Sequence, residues 1–433
     1  MVEGGEDSDE EVLVDVGPNS MSSKYEKVET MIRRLEKETG LRRVFRAKGA
    51  SGSFVLRGGK TLPVPSSPLR LWTTKLLSAE GKRRFLSEIF VEQRVSSAGT
   101  RDDDEESVDQ FTRRRFGDEV ATWLMNPVIA GIYSGKPEEL SVRFALPFLY
   151  HLEQSKGSVL GGLFRGGAKQ GPRTKKLYKF SVLRRTFNFK GGMESLAGFL
   201  RSRVNANVLL GSPVRRICRT NEGMWWVNDR RYHHVISSIP VYQLAEVGVC
   251  GGYRSDLLRR AFQFLAKTVI YAPVMVLGLS YRREDILHAM NGFGVLIPSE
   301  ERRKIIGVAF TTTTFPDRVQ DPGRTALMNV FLGGQRNPEV MRASDQSVLD
   351  IATKEVGSFL NIQRPPVSHH LCRWNKGIPQ MRRGYRAVVD RIQTVEKLLP
   401  GFHFSGNYIR GVGIPDAMLT GIEAAEKVLE ETL

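Results

Sequence analysis

The stretch FHFSGNYIRGVGIPDAMLTGIEAAEKVL, Phe402 to Leu429, constrains the fold more than any other. A short apolar run leads to Gly406, then Gly411 and Gly413, and Pro415 opens a helix. Met418, Ile422, Ala425 and Leu429 give that helix an apolar face, while Gly421 and Ala424 allow close approach. Strand, glycine-rich turn and helix N-terminus form a phosphate- or cofactor-cradling unit of α/β proteins: backbone N–H groups point outward and the helix dipole favours negative charge. Dinucleotide-binding chains carry such a unit at their start. Here no G-x-G-x-x-G stands near the front. Gly292-Phe-Gly294 runs into the strand-like Val295-Leu-Ile297, so no helix follows to receive a pyrophosphate. Gly411-Val-Gly413 is the only glycine pair that opens a good helix.

At 433 residues the chain exceeds one ordinary domain and predicts two or three lobes. Cys218, Cys250 and Cys372 lie far apart with no C-x-x-C, which predicts neither a disulfide framework nor a zinc site and points to a reducing compartment. The seven histidines show no H-x-x-x-H or similar spacing, so no metal is expected. A net charge of +17 suits an acidic partner: nucleic acid, anionic lipid or a carboxylate substrate. The basic stretches lack regular aromatic interleaving and match no nucleic-acid module, which removes the first. Residues 1–11 read as a disordered acidic tail, unlike a basic signal or transit peptide. No apolar run reaches the ~18 residues that cross a bilayer. The longest, Val269 to Tyr281, contains Pro273 and Gly278 and reads as a buried strand. The expected location is cytoplasmic or peripheral to a membrane.

Along the chain, Val12–Val16 is strand-like, and Ser23 with Glu26 forms a capping box for a helix that Gly40 stops. Phe54–Arg57, Gly58-Gly59 and Lys60–Val64 form a hairpin. From Pro68 to about Leu152 the pattern is helical. Leu69 to Phe90 is basic and amphipathic, and Ser107 with Gln110 starts a helix that ends before Pro127. Gly157 to Arg185 reads as an exposed loop. Phe187 to Gly192 leads into another helix, with strands at Val208–Gly211, Val214–Cys218, Met224–Val227 and His234–Ile239. Strands dominate from Lys267 to about Phe331, followed by a helix near Val348 to Phe359. No G-x-S-x-G elbow or P-loop occurs, so any enzyme chemistry is expected from a cofactor.

Long-range order adds to this. VDVGPNSM (Val14 to Met21), SFVLRGGKTLPVPSSP (Ser53 to Pro68), FNFKGGMESLAGFL (Phe187 to Leu200), HHVISSIP (His233 to Pro240), FLGGQRN (Phe331 to Asn337), RWNKGIPQ (Arg373 to Gln380) and the C-terminal stretch resemble, in order, the protoporphyrinogen oxidase family of FAD-dependent flavin amine oxidases. Arg113 to Arg143 and Gly292 to Glu301 extend the match over nearly the whole chain. The resemblance implies an α/β fold with interleaved lobes. An FAD-binding lobe takes 12–18, 187–266 and 400–433, a β-rich substrate lobe 19–67 and 267–399, and a helical, membrane-associated lobe 68–186. It implies six-electron oxidation of protoporphyrinogen IX, with a homodimer among the expected assemblies. Gly17, Pro18, Asn19, Val214, Gly406, Asn407, Gly411, Val412, Gly413 and Ile414 fall at family FAD contacts. Ser53, Gly131, Leu296 and Phe331 fall at the substrate. No residue is assigned a catalytic role, and no metal is implied.

The chain departs from the family in three places. The strand–GxGxxG–helix unit that precedes VDVGPNSM is not found, so either the start is truncated or part of the FAD grip is lost. Ser53 stands where many members carry a propionate-binding arginine, and Met381 replaces the tyrosine of I-P-Q-Y. The rival readings are an FAD-less paralogue that binds porphyrin or membrane, and another oxidoreductase of the superfamily.

Overall fold

The computed structural model describes residues 11–22, 24–50, 52–65, 68–94, 105–165 and 186–433. The first ten residues, the capping Ser23 and most of the expected loop (166–185) lie outside these. A seven-stranded sheet organises the chain. Its strands are β1 (Phe54–Arg57), β2 (Lys60–Pro63), β3 (Tyr271–Arg282), β4 (Gly294–Leu296), β5 (Ile305–Ala309), β6 (Thr325–Gly333) and β7 (Ser368–Pro379). Their order is β7-β3-β6-β5-β4-β1-β2. Neighbours run antiparallel except β4 and β1, which are parallel. The long apolar run is β3, an interior strand paired on both sides, by β6 and by β7. Gly58 and Gly59 both take positive φ (58° and 72°), the requirement of a two-residue turn whose twist matches its strands.

One face of this sheet packs against the helix Asp345–Leu360. Leu277, Leu279, Val308, Met328, Val330 and Leu332 meet Val348, Ala352, Val356 and Phe359 there, all buried. A second core joins helices Tyr253–Thr268 and Arg386–Leu398 to Trp225, Phe402 and Phe404. Within it strand Phe402–Phe404 pairs in parallel with Val235–Ser237. A third core is helical, around Phe111, Ile129 and Tyr133. In the fourth, helix Glu26–Thr39 meets Phe187, Phe189 and Leu419 of the last helix, Ile414–Thr432.

Several expectations need correction. Val12–Val16 forms no strand, because its backbone groups are taken one by one by the sheet face it crosses. Val208–Gly211 is also irregular. The capping box at Ser107 and Gln110 is present, but its helix ends at Gly117, whose φ is 91°. The chain turns helical again at Asp118 and stays so to Tyr133, and Pro127 lies inside that run, directly after a π-helical turn at Ala121–Met125. Val159–Arg165, expected as loop, is a helix with Val159 and Leu160 buried. Cys218 and Cys250 were read as separate thiols. They face each other on parallel strands Arg216–Arg219 and Gly248–Cys250 and form a disulfide, a pairing hidden by a sequence separation of 32.

Candidate functional site

Side chains alternate along a strand, so residues turned away from helix Asp345–Leu360 form the sheet's other face. Two rows cross it in register. The first runs Val55, Leu296, Gly307, Phe331, Val276, Cys372; the second, two residues along, runs Gly294, Ala309, Asn329, Gly278, His370. The segment Val12–Asn19 lies over the second row. A Cβ at Gly278 would come 2.8 Å from Val14 Cγ1, so glycine lets the segment touch the sheet. Leu13 N–H donates to the Arg318 carbonyl (2.8 Å) and Trp374 Nε1 donates to the Val16 carbonyl (2.8 Å). Asn329 Nδ2 donates to the Asp15 carbonyl and to Asn19 Oδ1, both at 2.8 Å. The Asp15 carboxylate accepts from Asn188 Nδ2 (2.7 Å) and Met193 N–H (2.8 Å), and Arg318 Nε lies 3.5 Å from it. Asn329 Oδ1 is buried and has no hydrogen-bond partner among the described residues.

The first row gathers the residues expected at the substrate. Leu296 and Phe331 are half-buried, and in register only the buried Gly307 stands between them. Gly131, on helix Asn126–Tyr133, faces the same place: a Cβ there would sit 3.2 Å from Leu296 Cδ2. Ser53 leads into β1 on the Val55 side, and its carbonyl accepts from Val64 N–H (2.8 Å). Arg57, next on that side, is engaged elsewhere. It donates to the Leu76 carbonyl, and its guanidinium lies 4.4 Å from the Trp123 ring centre. Arg336 fastens helix Asn126–Tyr133 to the end of β4, donating to the carbonyls of Ile297 and Asn126 at 2.8 Å. Burial pushes its pKa down to about 10.

The C-terminal turn has its own logic. Asp416 is buried and accepts from Gly413 N–H (3.2 Å), Tyr25 Oη (2.6 Å) and Lys24 Nζ (2.9 Å). A Cβ at Gly411 would come 2.8 Å from its carboxyl carbon, and one at Gly413 3.0 Å from Oδ2. The two glycines therefore make room for a capping carboxylate. Val412 packs on the helical core and Ile414 on the fourth core. Gly406 N–H donates to Thr420 Oγ1 (3.0 Å), half-buried Asn407 follows, and Tyr385 Oη donates to the Tyr408 carbonyl (2.7 Å). Burial pushes the phenols of Tyr385 and Tyr408 well above their ordinary value, so both stay neutral. Gly17 and exposed Pro18 belong to the segment over the sheet. Val214 stands apart, exposed ahead of strand Arg216–Arg219.

Sequence reasoning missed Asn329, Gly307 and Trp374. The first two carried a legible signal, a polar residue and a glycine inside otherwise apolar strands. A cavity of about 290 Å³ beside Thr325 and Ala326 includes none of the expected site residues.

The family described as flavin containing amine oxidoreductase matches residues 4–429. The chain belongs to that family. It is 30% identical over 403 residues to protoporphyrinogen oxidase 2, chloroplastic/mitochondrial, of Arabidopsis thaliana, covering 87% of this chain and 77% of the plant protein. Protoporphyrinogen oxidase of Dictyostelium discoideum is 26% identical over 473 residues, covering 96% and 86%. A solved structure from Exiguobacterium sp. 255-15, described as a protoporphyrinogen oxidase, superimposes with a TM-score of 0.72 at 18% identity, covering 97% of this chain and 88% of that one. The mixed helix-and-sheet architecture is that of the flavin amine oxidases, as expected. As a member of the flavin-containing family, the chain is an oxidoreductase with a flavin cofactor.

Proposed function

We propose that this oxidoreductase uses FAD to convert protoporphyrinogen IX to protoporphyrin IX, removing six hydrogens in three two-electron steps. The observation that carries the reading is the likeness to protoporphyrinogen oxidases along most of the chain. The residues fit a flavin over the sheet's free face. Asn329 Oδ1 is buried without a partner among the described residues, and among them a side chain at Gly17 would meet nothing within 4 Å. Gly17, Pro18 and Asn19 would hold the cofactor from one side and Gly406, Asn407 and Gly411 to Ile414 from the other, with Val214 at the adenine. When bound, FAD accepts hydride and passes electrons to oxygen or another acceptor. Leu296, Phe331 and the bare backbone of exposed Gly131 would offer an apolar strip for the macrocycle and exclude water from it. Ser53 is placed to hydrogen-bond a propionate. The lobes would follow the boundaries drawn from the sequence, with the helical one docked on a membrane surface and a homodimer as the assembly.

The test uses the purified chain with excess FAD and chemically reduced substrate, following porphyrin fluorescence. A rise above the autoxidation baseline is expected, and its absence overturns the reading. The sequence contains no G-x-G-x-x-G, so FAD should be lost on desalting and activity restored by adding it back. A stoichiometric flavin band surviving desalting would refute that part alone.

A further inference from the structure

The family resemblance absorbs nothing of one cluster at the far end of the last helix, built around the buried His403. His234 enters strand Val235–Ser237, His403 is the middle residue of the paired strand Phe402–Phe404, and Glu431 lies in the final turn of helix Ile414–Thr432. One ligand atom from each lies within 4.8 Å of the other two. His234 Nδ1 and His403 Nε2 are each 3.4 Å from Glu431 Oε2. That is long for a hydrogen bond, and neither nitrogen has a hydrogen-bond partner among the described residues. His403 is 1% exposed, so its unpartnered nitrogens are cut off from water. Such orphaned polar atoms cost free energy unless something satisfies them. For a tetrahedral ion with ligand bonds of about 2.0–2.2 Å, ligand atoms stand roughly 3.3–3.5 Å apart; both histidine–Glu431 separations match this, and the two imidazole nitrogens lie within 4.8 Å of each other.

We propose that this chain binds one Zn²⁺, or a divalent ion of the same borderline class, through His234 Nδ1, His403 Nε2 and Glu431 Oε2. Two imidazoles and a carboxylate are a zinc ligand set, with the fourth position left to water. Gly401 N–H donates to Glu431 Oε2 at 3.0 Å and holds the carboxylate in place, as outer-shell donors do in metal centres. The C-terminal end of the helix, with its partial negative charge, favours a cation there. Lys427, one turn earlier, is paired with Glu396 at 2.6 Å. The ion would clamp the end of the last helix onto two strands, away from the glycine-rich turn at the helix's other end. The ligands come from three distant places in the chain, which is why their spacing in sequence gave no sign of them.

The experiment strips the full-length chain with a chelator and titrates Zn²⁺ against a competing chromophoric chelator, with thermal melting in parallel. One equivalent should bind and raise the melting midpoint. Glu431→Gln and His234→Ala alter partly exposed side chains, so both should fold. Each should weaken binding at least tenfold and abolish the shift, while the metal-free midpoint stays near that of the parent. His403→Ala is a weaker probe, because a buried vacancy alone could unfold it. Absence of a bound equivalent in the parent, or unchanged affinity in both variants, overturns the proposal. Co²⁺ in place of Zn²⁺ should give the intense visible bands of a four-coordinate site, and weak octahedral bands would count against it.

Discussion

At the residue scale, Ser53 carries the sharpest expectation. The family resemblance puts an arginine there, and the neighbouring candidate for a substitute cation, Arg57, is held by the Leu76 carbonyl and the Trp123 ring. A hydroxyl cannot reproduce the two parallel N–H donors that a guanidinium offers a carboxylate. Hydrogen bonds to charged groups contribute about 1.5–3 kcal/mol, so Ser53→Arg should raise kcat/KM by roughly tenfold to a hundredfold. Steady-state kinetics with protoporphyrinogen IX and with a propionate dimethyl ester separate the effects, because the gain should vanish with the ester. Equal gains on both substrates, or a loss on the acid alone, would mean that Ser53 does not face the propionate.

At the element scale, the last helix depends on one buried carboxylate. Asp416 caps its N-terminus through Gly413 N–H and ties it to the start of the first helix through Tyr25 and Lys24. Losing a cap costs about 0.5–2 kcal/mol, and losing hydrogen bonds to a charged group adds about 1.5–3 kcal/mol. Asp416→Ala should therefore destabilise the fold by roughly 2–5 kcal/mol, read as a lower urea midpoint at unchanged slope. An unchanged midpoint would show that the two helices hold together without it. This helix also shows what the sequence could and could not say. Its strand, turn, opening proline and apolar stripe were all legible, because they are local patterns. The reason for Gly411 and Gly413 was not, since it lies in the side chain of Asp416 folding back over them. The hairpin at Gly58-Gly59 and the buried β3 were likewise legible. The failures at Val12–Val16 and at Cys218 with Cys250 share a cause: their partners are fixed by tertiary register. Leu296 and Phe331 came from family likeness, yet only the pairing of β4, β5 and β6 shows them in one row with Gly307 alone between them.

At the scale of the whole molecule, the question is what its charge of +17 faces. Among the described residues no helix is long and apolar enough to cross a membrane. The basic stretch Leu69 to Phe90 folds as two short helices, Pro68–Thr73 and Ala79–Leu86, and a final turn, Ser87–Phe90. Its apolar side chains are unevenly buried: Leu71 and Leu77 enter the helical core and Leu76 is buried, whereas Trp72 and Phe90 are 60% and 82% exposed. Its cations also divide. Arg84 donates to the carbonyls of Arg114 and Arg115 and Lys82 to that of Trp72, while Lys75 and Arg83 are exposed. Exposed aromatic rings beside basic groups suit the boundary of an anionic lipid surface, where each cation contributes about 1 kcal/mol. The chain should therefore co-sediment with vesicles containing phosphatidylserine but weakly with neutral ones. Raising salt from about 0.1 M to about 1 M shrinks the screening length from ~10 Å to ~3 Å, so binding should fall several-fold and leave a residue due to the rings. Replacing Trp72 and Phe90 together by serine should remove that residue without altering the melting midpoint, since neither side chain is buried. Failure to sediment with anionic vesicles even at low salt would end the membrane reading and leave the positive charge to the carboxylates of the substrate.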